Sequence, residues 1–428
     1  MKIRTHIKAD PAVAKAVRGP DDNERASKEF TMKIMTRRCA VLVAGIMLLA
    51  TGRAGAQQSA GNALFEALCG QAATCVGAFD VSVIQSLRDN LAAQATSFPI
   101  GSSSGGFTWT FDPDLGVQTR RTNSFGPMFA ERPLTNGRKK LNVSLAYQHT
   151  SFDSIAGQPL SAFQSVGPVP LFDPFGLLSI GTLTLKTSLD VAIDRTTASA
   201  SYGITDRVDV GLIVPFGRTQ VSGNSSAFLV DSRGNELARI FPVNQKGSSS
   251  GVGDITVRAK VAVPSPRAFQ LAAGVDVRLP TGDTDKLLGV GATETKVMVM
   301  GSLPRGPIAP HFNVGYTWAG DDTGSPFNVF NEVNYIFGAD VAVTPAVTVM
   351  GDVIGRTLRD ASKIDFVNEP GFSYFTSEIG NVNMLLGTVG AKVKVSGMWL
   401  LTASVVFPLN SSGVKPGVTP VIGFERAF

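Results

Sequence analysis

Residues 182–192 read Thr-Leu-Thr-Leu-Lys-Thr-Ser-Leu-Asp-Val-Ala, and their parity decides the fold. Leu183, Leu185, Leu189 and Val191 share one parity, while Thr184, Lys186, Ser188 and Asp190 share the other. Successive side chains of a strand point to opposite faces, so this stretch is a strand with one apolar and one charged face. The same alternation recurs at 208–212, 255–261, 275–279, 312–318 and 399–407. For a strand in a bilayer it places Leu185, Val210 and Val257 toward lipid, and Ser188 and Thr256 toward a hydrated lumen.

Working outward, fourteen such segments are expected: 103–111, 123–131, 139–152, 182–202, 207–216, 251–263, 268–280, 293–302, 308–319, 327–342, 347–359, 381–395, 398–408 and 417–428. Every second connection is tight, marked by Asn136-Gly137, Pro264-Ser265-Pro266, Pro304 to Pro307 and Ser396-Gly397. Most of the others are long. A sandwich has no reason to gather its short turns at one end, whereas an outer-membrane barrel has short periplasmic turns and long external loops. Most segments also reach the roughly 9–11 residues that a bilayer requires, against about five or six in soluble sheets. The expected fold is therefore an all-β, transmembrane antiparallel β-barrel of about fourteen strands. Its last strand, Val418 to Phe428, ends on an aromatic residue, a feature by which outer-membrane proteins are handed to the assembly machinery, although Arg426 departs from the usual apolar residue there.

Composition agrees. Charged residues are 17% against about 25% in soluble domains, and 45 glycines are present. The chain has a formal charge of +5, but 11 of its 39 Lys/Arg and 5 of its 34 Asp/Glu fall in residues 1–56. The remaining 28 basic and 29 acidic residues give no basic footprint for nucleic acid.

Residues 32–56 have the parts of a signal peptide: Lys33, Arg37 and Arg38, an apolar run from Cys39 to Ala50, and Ala54-Gly55-Ala56 as the cleavage site. A helix of that run rises only about 18 Å, which makes a membrane anchor the weaker alternative. Residues 1–31 read as an over-extended leader. In the exported chain Cys69 and Cys75 form the remaining pair, either a local disulfide or two small buried thiols. From Asn62 to Phe98 apolar residues recur at three- and four-residue steps, so residues 57–102 are expected to form a helical plug or periplasmic segment before a barrel at 103–428.

Chemistry-bearing motifs are sparse. His149 and His311 do not stand in metal-ligand or triad spacing. Gly251-Val252-Gly253-Asp254 and Gly289-Val290-Gly291 lead into no helix and read as glycines that begin strands, not phosphate loops. Asp283, Asp285, Asp321 and Asp322 fit either solvated turn acids or a calcium-holding loop tip. No cofactor is implied. The expected lumen-lining residues are Lys186, Asp190, Arg258, Lys260, Asp276, Arg278, Glu294 and Lys296, together with Glu332, Asp340 and Asp352. Their mixed signs describe a hydrated, internally paired wall rather than a single-sign constriction. Phe163, Phe172, Phe175, Phe372 and Phe375 stand on long outer loops, where they would either contact an apolar ligand or cap the barrel.

Ser124-Phe125-Gly126-Pro127 through Phe129-Ala130-Glu131-Arg132, then Tyr202-Gly203-Ile204-Thr205-Asp206-Arg207, Gly253-Asp254 before Ala259-Lys260, and Pro280-Thr281-Gly282-Asp283 resemble the outer-membrane family associated with the meta-pathway of phenol degradation. That family is distantly similar to the long-chain fatty-acid outer-membrane channels, which have fourteen strands and an N-terminal plug. The resemblance implies uptake of aromatic compounds, and with the sparse chemistry above the expected protein is a monomeric outer-membrane channel for passive uptake of small hydrophobic or aromatic compounds, not an enzyme. The alternatives are a general diffusion porin and a non-transporting structural barrel. The expected partners are outer-membrane lipid, the barrel-assembly machinery through Phe428, and a small hydrophobic substrate, with no nucleic acid.

Overall fold

The computed structural model describes residues 58–69, 81–97, 101–102, 104–112, 117–120, 123–172, 178–265, 269–320 and 328–428. The leader, the signal peptide, Cys75, Phe175, Asp321 and Asp322 lie outside the described residues, as does the side chain of Cys69. Two helices, α1 (Ala60–Cys69) and α2 (Val81–Ser97), come first. The strands follow: β1 (Trp109–Asp112), β2 (Val117–Arg120), β3 (Leu141–Ile155), β4 (Gln158–Pro159), β5 (Phe163–Phe172), β6 (Leu178–Gly203), β7 (Val208–Val230), β8 (Glu236–Val252) and β9 (Thr256–Val263). The second half holds β10 (Gln270–Arg278), β11 (Glu294–Ser302), β12 (Ile308–Ala319), β13 (Glu332–Thr344), β14 (Val347–Glu369), β15 (Phe372–Ser396), β16 (Trp399–Pro408), β17 (Val414–Pro416) and β18 (Thr419–Ala427).

An antiparallel ladder closes on itself. β3 pairs with β6 (Leu141 opposite Tyr202), β6 with β7 (Gly203 opposite Asp209) and β7 with β9 (Leu212 opposite Val257). Neighbours then follow in chain order to β16, which pairs with β18, and β18 returns to β3 with Ile422 opposite Tyr147. The wall thus consists of β3, β6, β7, β9 to β16 and β18, twelve strands, so the count of fourteen is not confirmed. Neither of the first two expected segments joins the wall. β1 pairs only with β2, and residues 124–137 are buried without alternation and contain no strand. A wall strand needs one face in lipid; this segment has none, because it lies within the barrel.

The tight connections gather at one end as expected. They are β6–β7, β9–β10, β11–β12, β13–β14 and β15–β16, with Gly306 and Gly397 at positive φ of 61° and 54°, the conformation in which glycine avoids a Cβ clash. At the opposite end β7 and β8, and β14 and β15, continue as long hairpins.

The outward face is apolar over a limited height. Val210, Val257, Val275, Val297, Val314, Val353, Val405 and Ile422 are all exposed. Toward the loop end this band stops at a polar row of register partners, His149 opposite Asp194 and Asp194 opposite Arg218, with Tyr147 donating its hydroxyl to Asp194 at 2.7 Å. Toward the turn end it stops near Tyr202 and Trp399, where the Arg426 guanidinium lies 4.8 Å from the Trp399 ring and 4.5 Å from that of Phe428. Arg426 thus sits at an interfacial level with aromatic partners. From Asp194 to Tyr202 a tilted strand spans on the order of 20–25 Å, the height of the apolar band of such barrels.

Residues 182–192 lie beyond that band, which inverts their expected facing. Leu185, Leu189 and Val191 are 3%, 2% and 1% exposed and pack inward in one cluster with Leu64, Leu87 and Leu91 of the helices. Lys186 and Asp190 are exposed on the outer side, and Ser188 shares their face. Above the lipid the wall meets water outside and an apolar plug inside, so the preference of each face reverses.

Candidate functional site: the lumenal chamber

Inward side chains of β9 to β14 build a charged wall because the register sets opposite signs side by side. Asp276 stands between Arg258 and Lys296 on the two flanking strands, and Arg278 stands opposite Glu294. Asp276 accepts Nε and Nη2 of Arg258, both at 2.6 Å, and lies 3.1 Å from Lys296 Nζ. Arg258 also reaches Glu131 of the lumenal segment, and Arg278 pairs with Glu294. Arg356 holds Glu332 through Nε at 2.9 Å and Nη2 at 2.5 Å. These groups enclose a cavity of about 120 Å³ whose remaining lining includes Phe129, Met298, Ile336 and Ile354. The charges of this chamber cancel in pairs; bidentate pairs of this kind are costly to break once they are out of water.

Toward the turn end the chamber is floored by the lumenal segment, residues 104–106 and 124–137. Lys260 Nζ donates to Ser104 Oγ (2.8 Å) and to the carbonyls of Arg132 (3.1 Å) and Leu134 (2.8 Å). Asp209 accepts the backbone N–H of Asn136 at 2.9 Å, and Asn136 Nδ2 donates to Ser201 Oγ at 2.8 Å. Phe125 donates its N–H to Thr348 Oγ1 at 3.0 Å, and Ser124 bonds to Asp340. His311 lies between two carboxylates, 3.1 Å from Asp340 and 2.6 Å from Asp352.

Toward the loop end the roof is apolar. Helices α1 and α2 bury Leu64, Leu68, Val83, Leu87 and Leu91 against Leu185, Leu189, Val191, Phe163 and Phe375. Phe375 packs between Phe163 (centroids 5.4 Å apart, edge-on) and Phe366 (5.0 Å). The helices are fastened by polar contacts at their rims: Asn90 Nδ2 to the Ser362 carbonyl (2.8 Å) and Gln94 Nε2 to that of Val414 (2.5 Å). The Asp89 carboxylate accepts Gln85 Nε2 (2.9 Å) and Asn328 Nδ2 (2.8 Å), while burial pushes its pKa above the ordinary value.

A loop from the wall completes the roof. Asp254 accepts the N–H of Gly282 (2.9 Å) and of Val290 (3.1 Å), and Thr281 Oγ1 bridges from the N–H of Ile255 (2.9 Å) to the carbonyl of Gly253 (2.8 Å). These bonds fold residues 281–291 inward so that Leu287 and Leu288 are buried, and Asp285 then accepts the N–H of Gly61 in α1 at 3.3 Å. At the tip Asp283 pairs with Lys286 at 2.7 Å, whose hydrogen bond holds the Asp283 carboxyl below its ordinary pKa. Among the described residues no cluster of three potential metal ligands occurs.

The structure thus brings Arg258, Asp276, Arg278, Glu294 and Lys296 to one chamber, sets Lys260 below them against the lumenal segment, and leaves Lys186 and Asp190 outside. Of the loop aromatics, Phe163 and Phe375 meet in the roof; Phe372 is half-buried at the start of β15, and Phe172 is in β5 with its side chain outside the described residues. Sequence reasoning missed Arg356 and Arg195, took Asp254 only as part of a family element, and read Glu131 as part of a strand. The unbroken burial of residues 124–137 has no periodic signature, and only the coincidence of Glu131 and Arg132 with a family element pointed there.

No curated protein sequence matches the chain. Among solved structures it is similar to the CymD monoaromatic hydrocarbon channel at 10% identity, covering 68% of this chain and 89% of that one with a TM-score of 0.33. It is also similar to a TodX monoaromatic hydrocarbon channel mutant at 12% identity, covering 69% and 93% with a TM-score of 0.31. A FadL homologue of Pseudomonas aeruginosa is similar at 10% identity, covering 68% and 90% with a TM-score of 0.29. The family match is of another order, extending over residues 178–400, from the start of β6 into β16 and across more than half of the chain. Its span takes in the Gly253-Asp254 and Pro280 to Asp283 elements that fasten the roof, and the chain belongs to the family described as "Putative MetA-pathway of phenol degradation".

Proposed function

We propose that this protein is an outer-membrane conduit through which small apolar, chiefly aromatic, compounds pass down their gradient, and that they enter at the loop end beneath α1 and α2. One observation carries the reading. The inward wall at that end is apolar and aromatic, and it is covered by helices that stand outside the strand ladder and bury apolar side chains against it. Displacing the helices would present an apolar mouth, of the kind that takes up small hydrophobic ligands. The apolar outer band and its aromatic margins support placement in the outer membrane, with the short turns and Phe428 on the periplasmic side, where the assembly machinery acts. The family's association with phenol degradation fits an aromatic cargo.

Uptake of a labelled monoaromatic compound by cells that lack the protein, with and without a plasmid copy, tests this together with single-channel recording of the purified protein. Faster uptake with the copy and little ion current are expected. Large steady conductance with no change in aromatic uptake would identify a general porin instead; no effect on either measurement would leave a structural barrel.

A further inference from the structure

Arg195 projects inward from β6 just under the helical roof, 7% exposed, and among the described residues it makes no hydrogen bond; its Nη1 is fully buried and has no acceptor. The other inward arginines all have partners: Arg258 has Asp276 and Glu131, Arg278 has Glu294, Arg356 has Glu332, and Arg132 donates to main-chain carbonyls. The carboxylate nearest in charge to Arg195 is Asp254, but both its oxygens accept backbone N–H groups of the 281–291 loop. Beside Arg195, Thr219 is 0% exposed and its Oγ1 is also without a partner. Two polar groups without hydrogen bonds on adjacent strands, both facing one small cavity, are not explained by stability, since a buried guanidinium that no carboxylate hydrogen-bonds opposes folding.

The rest of the cavity lining is Ile193, Pro215, Leu287 and Leu288, the backbone of Gly217 and Gly253, and Asp254, whose two carboxylate oxygens are turned to the loop N–H groups. The cavity itself is only about 10 Å³, room for a polar head and not for a ring. The ring's place is held by Leu288, whose side chain rests where Cβ atoms on Gly217 and Gly251 would be, 2.9 and 3.1 Å away. A leucine on a loop, seated over two glycines, is a removable stopper. We propose that Arg195 and Thr219 form an internal binding site for the carboxylate of a small apolar monoacid, whose body displaces Leu288. The planar guanidinium fork matches a carboxylate through two parallel hydrogen bonds, which an ammonium cannot reproduce. The ligand's route to the site rests on the conduit reading above, whereas binding does not.

Calorimetric titration of the refolded full chain in detergent, at constant ionic strength and neutral pH, with benzoate, benzamide and chloride as probes, tests the site. Benzoate is expected to bind. Benzamide, alike in shape and uncharged, and chloride, charged and without a body, are each expected to bind at least about tenfold more weakly. Arg195→Gln should lose about tenfold or more and Arg195→Lys nearly as much, Thr219→Val should lose severalfold, and Leu288→Ala should gain. Equal binding of benzamide overturns the carboxylate assignment, equal binding of chloride overturns the apolar body, and unchanged affinity in Arg195→Gln overturns the site. Heat-modifiable gel mobility reports folding. Arg195→Gln is expected to fold, and if it does not, Arg195 has a structural role and the proposal fails unless Thr219→Val folds and loses affinity. Benzoate binding by a protein that passes no aromatic compound would sink the conduit and leave this site standing.

Discussion

The carboxylate of Asp254 accepts the backbone N–H of Gly282 at 2.9 Å, so a side chain at the mouth of β9 fixes a loop that follows β10. With the parallel bond to Val290, it holds the inward fold on which Leu287, Leu288 and the start of α1 depend. Asp254→Ala is expected to cost about 1–3 kcal/mol, the range for withdrawing the partner of buried polar groups. It should also loosen the loop that carries the exposed Lys286, so trypsin should cut there faster than in the parent protein while the wall stays intact. Unchanged cleavage with unchanged stability would show that the loop does not need this anchor.

The two faces of the wall should answer oppositely to added charge. Val257→Arg and Val353→Arg place a guanidinium in the apolar band and should each cost about 2–4 kcal/mol near the bilayer midplane. Thr317→Lys enters the chamber opposite Lys296 and Glu332, one charge of each sign, and should cost little. Reversible unfolding in lipid vesicles gives the comparison. If all three variants fell together, the facing described here would be wrong.

Leu185→Arg separates this structure from a reading based on period alone. As a lipid-facing change it would weaken the whole barrel; as a change beneath Leu64 it should loosen the helices and leave the wall nearly as stable. Proteolysis of residues 58–97, set against global unfolding in vesicles, distinguishes the two outcomes.

Truncating the plug should open the roof. Leu64→Ala and Leu91→Ala remove fully buried side chains, and such changes cost about 2–5 kcal/mol where the surroundings cannot collapse. Because α1 and α2 are joined to the wall by packing and a few polar contacts, the loss should appear as more frequent channel openings in planar bilayers and not as unfolding. A silent channel in both variants would mean that the closure lies elsewhere, at the lumenal segment.

The seating of α2 should depend on pH through Asp89. Burial raises its pKa above the ordinary 3.8, so the ionised form is penalised when the helix is seated. The penalty is complete above the raised value, shrinks as pH falls through it, and is gone below 3.8. Hydrogen exchange across α2, corrected for intrinsic rates, should therefore slow between neutral pH and about pH 4, and Asp89→Asn should abolish the trend. Faster exchange at the lower pH would contradict the sign.

Period two and turn length were enough to read the wall, because a strand between lipid and lumen must alternate and a tight reversal must use glycine or proline. The same rule misled at residues 182–192. Leu185 and Lys186 alternate there as they would in lipid, and a sequence does not show the height at which the bilayer ends. Residues 124–137, enclosed on every side, keep no period at all, and the strand expected at 123–131 does not form. The mixed signs of Arg258, Asp276, Arg278, Glu294 and Lys296 were legible as a paired wall. The solitude of Arg195 was not, since it depends on where Asp254 spends its oxygens.

The described chain fills the interior of its own cylinder: α1 and α2 under one rim, residues 104–106 and 124–137 at the other, and then the wall, whose first and last members, β3 and β18, meet along a single seam. Biogenesis inherits a problem of sequence in time. A ring that zipped shut while empty would have to draw two helices, each about 10 Å across, past Lys260 and Arg258 to reach the far rim. A ring that zipped around a tail already in place has no such passage to make. The seam between Tyr147 and Ile422 is accordingly the step to delay, and anything that hastens that pairing before the tail has arrived would trap a hollow, misassembled cylinder.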